Sequence, residues 1–170
     1  MTILVIGRGK IGMSHLALAP NNVGKSNVAL CDTKLSTRIL FRLLGYKTFG
    51  DIDVAASSVN RLEGVLIATP TPSHAPLAKW AINKGVPCFV EKPLTLDVAA
   101  STELKALATA KGVPVQVGFV LRYVASFQRL RHLVSSRSLG AMLDYTASMR
   151  GNVILKPPAA DSWQGHFNQG

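Results

Sequence analysis

Ile3-Leu4-Val5-Ile6-Gly7-Arg8-Gly9-Lys10-Ile11-Gly12 is the stretch that decides the fold of this 170-residue chain. Four apolar residues suit the centre of a parallel sheet, and a helix is expected over Met13–Ala19. Strand, G-x-G-x-x-G, helix is the context in which a glycine pattern becomes a dinucleotide fingerprint. Gly7 permits the tight turn, Gly9 lets a pyrophosphate approach the backbone, and Gly12 lets helix and strand pack closely. The helix start, with Lys10 and Ile11, offers free N–H groups and partial positive charge to phosphates. A glycine-rich turn without a ligand is the bland alternative.

Working outward, residues 27–31 read as the next strand, and Asp32 ends it. A carboxylate there accepts hydrogen bonds from ribose hydroxyls and repels a 2′-phosphate, which favours NAD. Thr33, Lys34 and Arg38 follow closely, and their cations leave NADP open. Asp32 can also cap the helix that follows, and the two roles are compatible.

Strands and helices go on alternating. Helices are expected over 35–44, 51–59, 73–83, 97–110 and 124–135, and strands over 46–49, 65–68, 86–90 and 113–117. Asp51 reads as a cap, and Pro76 is tolerable in the first turn of its helix. The last helix carries Phe127, Leu130 and Val134 at helical spacing. The fold class is α/β, a doubly wound parallel sheet of Rossmann type. From Met142 the pattern changes: Leu143, Tyr145, Ala147 and Met149 alternate with polar residues, as in a half-buried strand. Nothing later in the chain reads as its partner, and a lone strand is not stable. The expected organisation is a dinucleotide-binding domain over 1–123. Residues 124–170 then form a connecting helix and the opening strand of a second, mostly absent α+β domain. An extra strand at the edge of the first sheet is the alternative.

Composition limits the function classes. Hydrophobic residues make up 48%, which suits a chain with a real core, and a domain of this size buries roughly 70% of its unfolded surface. Nineteen basic against nine acidic residues give a net charge of +10. The cations are scattered and no nucleic-acid-binding module is recognisable, so an anionic cofactor or substrate explains the charge better. No apolar stretch reaches the ~18 residues of a membrane span, and no secretory leader is visible. Cys31 and Cys88 lie far apart in apolar runs without metal-ligand spacing. They fit buried thiols in a reducing, cytoplasmic compartment, and no metal is expected.

In an open α/β sheet, ligands bind at the carboxyl ends of the strands. Thr69-Pro70-Thr71-Pro72-Ser73-His74, Glu91-Lys92-Pro93-Leu94 and Gly118 to Tyr123 all fall there. Taken in order with Gly7 to Gly12, His15, Asp32 and Ala68, they span almost the whole chain. In that set the chain resembles the Gfo/Idh/MocA oxidoreductases, the group of glucose–fructose oxidoreductase and inositol dehydrogenase.

The resemblance implies an NAD(P)-dependent dehydrogenase that moves hydride between nicotinamide and a sugar or cyclitol hydroxyl. It implies that Thr69, Pro70 and His74 line the cofactor site, and that Glu91 and Lys92 lie under nicotinamide and substrate. Lys92 would be the catalytic acid/base, its pKa lowered by burial. His74 can equally be a helix-start residue that binds nothing. Arg122 would contact an anionic part of substrate or cofactor, or merely a neighbouring carboxylate. The resemblance also implies a homo-oligomer formed through the second domain. Val120, Ala125 and Gln164 depart from the family's usual Asn, Pro and Arg. The family's second catalytic element, an Asp/His pair in the second domain, has no match in His132 or His166. Residues 1–170 alone are therefore expected to be inactive. A dinucleotide-binding module without catalysis is the competing reading.

Overall fold

The computed structural model describes residues 1–146 and 148. Six strands are present: β1 (Thr2–Ile6), β2 (Val28–Cys31), β3 (Lys47–Phe49), β4 (Leu62–Ile67), β5 (Cys88–Val90) and β6 (Val115–Val117). Between and after them run α1 (Lys10–Val23), α2 (Leu35–Leu43), α3 (Ile52–Ser58), α4 (His74–Asn83), α5 (Val98–Lys111) and α6 (Ala125–Ser136). The sheet order is β3-β2-β1-β4-β5-β6, and every pairing is parallel. This is the doubly wound Rossmann arrangement expected from the sequence. Among these strands, the two faces of the sheet separate by the alternation of a pleated strand. Leu4, Ile6, Ala29, Cys31, Val65, Ile67, Cys88 and Val90 join Ala78, Ala81, Ile82 and Leu104 of α4 and α5. Val5, Val28 and Leu30 face Leu16 of α1 and Phe41 of α2.

Helix ends follow local chemistry, with two departures from expectation. The first helix begins at Lys10 rather than Met13, with Gly9 as its cap residue. Lys10, Ile11 and Gly12 are therefore its first turn and not a loop before it. It also continues past Ala19 to Val23, with Pro20 inside. Proline has no N–H to give the carbonyl four residues back. That carbonyl, Leu16 O, instead accepts from the Tyr46 hydroxyl at 3.1 Å. Helices α2, α4 and α5 end alike: Tyr46, Val86 and Val113 return N–H bonds to Phe41 O, Ala81 O and Ala108 O. This closes the last turn and turns the chain back into the sheet.

The Asp51 cap is present: Oδ1 accepts from Asp53 N and Val54 N, both at 2.9 Å. Asp51→Ala should destabilise the protein by about 1 kcal/mol. Asp51→Asn should cost far less, and denaturant unfolding measures both. Equal midpoints for wild type and Asp51→Ala would refute the capping account.

The chain divides into two compact units, Met1–Phe119 and Val120–Gly170, slightly earlier than the expected boundary after 123. In the second unit a 3-10 turn, Val120–Tyr123, precedes α6. The periodic row on α6 is there, but Phe127, Leu130 and Val134 are 49%, 57% and 43% exposed. The strand expected from Met142 is not present over residues 142–146, which carry neither helix nor strand. Leu143 is exposed there, and no described residue pairs with it as a strand. Its remaining positions, apart from Ser148, and Gln164 and His166 lie outside the described residues.

Candidate functional site

Strand register builds the site. Ile6 pairs with Cys31 on one side and Ile67 on the other; Ile67 pairs with Val90, and Val90 with Val117. The five residues that follow, Gly7, Asp32, Ala68, Glu91 and Gly118, therefore leave the sheet at one level. In spatial order this rim reads Asp32, Gly7, Ala68, Glu91, Gly118. Strand order reverses between β1 and β4, so Gly7 and Ala68 flank the crevice where such sheets bind ligands.

At the centre, Gly7 has φ +89, and its N–H donates to Cys31 O at 2.9 Å. A Cβ at Gly7 would lie 2.8 Å from Thr69 Cγ2 and 2.9 Å from Ala68 O. A Cβ at Gly12 would be driven into Gly7 O and lie 3.0 Å from Gly7 C. Gly9 differs: its nearest atom would be Ala68 O at 3.8 Å, an ordinary contact. The fold itself thus needs glycine at 7 and 12 but leaves open space over Gly9. That open space lies at the start of α1, which has no side-chain cap of its own. A helix start left without such a cap keeps N–H donors for an anion. Glycine loop and helix start together fit a pyrophosphate.

Asp32 ties the loop to β2. Its Oδ2 accepts from Arg8 N at 3.0 Å and its Oδ1 from Lys34 N at 2.8 Å. The structural role and the ribose role coexist, since a carboxylate offers about four acceptor positions and two are used. Arg38 is turned back onto the chain: Nη1 donates to Asp32 O at 2.9 Å and Thr33 O at 2.8 Å.

Beyond β4, Ser73 Oγ lies 2.7 Å from both Thr69 Oγ1 and Pro70 O, closing a tight turn into α4. His74, expected either to line the cofactor site or to be a helix-start residue that binds nothing, is the first residue of α4. It is 1% exposed, with Nδ1 2.8 Å from Pro93 O and Nε2 2.8 Å from Thr69 O. Both nitrogens lie against main-chain carbonyls, and since a neutral imidazole carries one N–H it donates to one of the two; the ring sits between the loop after β4 and the turn after β5.

At the end of β5, Glu91 Oε1 lies 2.9 Å from His15 Nε2, and Lys92 N donates to Glu91 Oε2 at 3.3 Å. The Lys92–Pro93 peptide is cis. Lys92 itself is exposed, so the burial expected to tune it is not supplied by the described residues. The sequence alone assigns no role to His15. Its signal was spacing: Gly12 and Leu16 are buried on the sheet side of α1, and His15 is their neighbour on that helix. Arg122 lies in the second unit, where its carbonyl accepts from Gln128 Nε2 at 3.3 Å.

Burial pushes the thiols of Cys31 and Cys88 up to about 11, with Asp51 and Asp32 adding to the effect at Cys31. They are small core residues, not nucleophiles. Among the described residues no group of three His, Cys, Asp or Glu could hold a metal ion, and no helix is long and apolar enough to cross a membrane.

The comparisons agree with the architecture. Residues 1–119 match the Gfo/Idh/MocA model, described as an oxidoreductase family with an NAD-binding Rossmann fold. The chain belongs to this family. Inositol 2-dehydrogenase of Rhodococcus jostii is 29% identical over 167 residues, covering 95% of this chain and 44% of its own. The crystal structure of myo-inositol 2-dehydrogenase from Lactobacillus plantarum superposes with a TM-score of 0.71 at 26% identity, over 82% of this chain and 42% of its own. That of GenD2 from gentamicin A biosynthesis, in complex with NAD, gives 0.70 at 26% identity, over 81% and 39%. The chain spans less than half the length of these relatives.

Proposed function

We propose that this chain holds NAD along the rim and serves hydride transfer to and from a hydroxyl of a sugar or cyclitol. The observation that carries the reading is the level rim, with the glycine loop between Asp32 and the Glu91-Lys92-Pro93 turn. Three strand spacings separate Asp32 from Glu91, about 14 Å. Two nucleosides joined by a pyrophosphate suit that span, with the adenosine ribose at Asp32, the phosphates at Gly9 and the nicotinamide toward Glu91. Thr69 and Pro70 lie beside the phosphates, since the β4 loop touches Gly7. NAD supplies the hydride acceptor. Arg38 supports NAD over NADP because its Nη1 is already committed to two carbonyls beside Asp32.

Lys92 is the residue we assign to the proton: its ammonium group hydrogen-bonds the reacting oxygen and exchanges the proton with it. Arg122 is assigned to an anionic part of the substrate, and the second unit to the start of a substrate-binding domain through which copies of the protein associate. The absence of any recognisable nucleic-acid module and the two buried thiols support a cytoplasmic enzyme without nucleic-acid or membrane partners. The exposure of Lys92 favours one second reading, a dinucleotide-binding module without catalysis.

Titration with NADH and NADPH tests the cofactor, and NADH should bind more tightly; no binding of either at millimolar levels would end the reading. Lys92→Ala tests the chemistry. It should lower kcat at least about a hundred-fold in the active enzyme, with NADH affinity within about two-fold. An unchanged kcat would remove Lys92 from the chemistry, and dinucleotide binding without any turnover by the wild-type enzyme would leave the binding module as the better description.

A further inference from the structure

We propose that His15 is a positioning residue that fixes, through Glu91, the main chain at Lys92 relative to the helix carrying the dinucleotide loop. The proposal rests on the role given to Lys92 above. Its basis is a set of contacts that the cofactor reading does not need. His15 lies on α1 three residues beyond Gly12, and Glu91 ends β5, two strands away from β1. The imidazole Nε2 meets Glu91 Oε1 at 2.9 Å, with both side chains largely enclosed, 23% and 15% exposed. The other oxygen, Oε2, accepts the N–H of Lys92. One carboxylate therefore links a side chain of α1 to the first peptide of the Lys92–Pro93 turn.

Two further features hold the link in place. The His15 ring meets Phe89 edge-on, with centroids 5.3 Å apart and planes at 68°. That contact sets the ring's tilt from the side facing away from the rim. Gly118 leaves the space the pair occupies: a Cβ there would lie 2.9 Å from Phe89 Cζ and 3.2 Å from Glu91 Oε2. Elements β5, α1 and the end of β6 thus converge on one carboxylate. Because α1 begins at the glycine loop, phosphates bound at its start and the peptide at Lys92 share one rigid connection. A helix transmits position along its length far better than a loop does.

The roles predict a division between the two halves of the cofactor. ADP-ribose uses Asp32 and the glycine loop but not the nicotinamide end. His15→Phe keeps an aromatic ring against Phe89 and removes the N–H and acceptor. His15→Gln places an amide nitrogen near the Nε2 position. In His15→Phe the Lys92 amide should exchange its hydrogen about ten-fold faster in the ligand-free protein. NADH should bind about ten-fold more weakly while ADP-ribose stays within about two-fold. His15→Gln should restore both, and Glu91→Ala, which removes the link from its other end, should reproduce the His15→Phe pattern even if His15→Phe does not fold. Three results would overturn the proposal: unchanged exchange at Lys92, equal weakening of NADH and ADP-ribose, or no rescue by glutamine. If wild type binds neither ligand while exchange at Lys92 responds as described, the functional reading falls and the link from His15 through Glu91 to the Lys92 main chain stands as a structural one.

Discussion

Gly12→Ala is expected to lose both stability and dinucleotide binding, whereas Gly9→Ala is expected to lose only the dinucleotide. The difference lies in what a methyl group meets. At Gly12 it meets the carbonyl of Gly7, a residue held by the turn and by the bond from its own N–H to Cys31 O. Neither side can give way without moving α1 off the sheet. Overpacking against fixed backbone costs about 3 kcal/mol, and the displaced loop no longer presents its N–H groups to a pyrophosphate. At Gly9 the same methyl group stands 3.8 Å from Ala68 O and disturbs nothing in the ligand-free protein. It does occupy the space over the helix start. NADH binding should therefore weaken at least about a hundred-fold in both variants, while the unfolding midpoint falls only for Gly12→Ala. A stable Gly12→Ala protein would contradict the packing account. A Gly9→Ala protein with normal NADH affinity would show that the phosphates do not sit there.

The second large effect is at His74. Its ring bridges Thr69 O and Pro93 O, and so ties the loop after β4 to the turn after β5. A neutral imidazole has one N–H to give, so truncation to alanine leaves one of the two carbonyls without its donor, and a cavity where the enclosed ring stood. An unsatisfied buried group costs about 1–3 kcal/mol, and the missing ring adds a cavity cost. A loss of about 4 kcal/mol is expected, a fall in Tm of about 10 °C or more. His74→Phe separates the causes, since it fills the volume but offers no polar atom. If hydrogen bonding dominates, His74→Phe is as unstable as His74→Ala; if packing dominates, it approaches wild type. A Tm unchanged in both variants would rule out the bridge as a structural element.

Much of this architecture is readable in the sequence, and the reason is physical. A parallel sheet covered on both faces needs strands apolar throughout, and Ile3 to Ile6, Val28 to Cys31 and Val65 to Ile67 announce themselves that way. Asp51 marks a helix start because an unpaired N–H turn wants an acceptor, and its side chain accepts where expected; Asp97 accepts in the same way at the start of α5. The polar residues just beyond each strand end could be placed on one rim from topology alone. What could not be read was which of them turn inward. His74 and His15 look alike as isolated histidines, yet one is enclosed between two carbonyls and the other holds a glutamate. Such partners come from residues distant in sequence, 19 and 76 positions away, which local pattern does not reach. The start of α1 is hidden in the sequence because glycines at 7, 9 and 12 look like a loop. In fact Gly12 is helical and is glycine only because Gly7 O lies against it. Pro20 suggests a helix end only as long as the Tyr46 hydroxyl is out of view.

The shared register of the strand ends makes the sheet a measuring device whose two edges tolerate change unequally. One residue inserted within β5 would advance Glu91 and Lys92 by about 3.3 Å and swing their side chains to the opposite face. Every distance along the rim would then be wrong at once. Residues added where α2, α4 and α5 turn back into the sheet lie at the other edge, where strands begin. They would lengthen a connection and leave the rim untouched, at a closure cost that grows only slowly with loop length. Length variation among natural homologues should therefore gather at the strand starts, and insertion of tags or domains should succeed at those turns and fail at the strand ends. The same asymmetry makes the lower edge the place to attach a reporter without disturbing the ligand side.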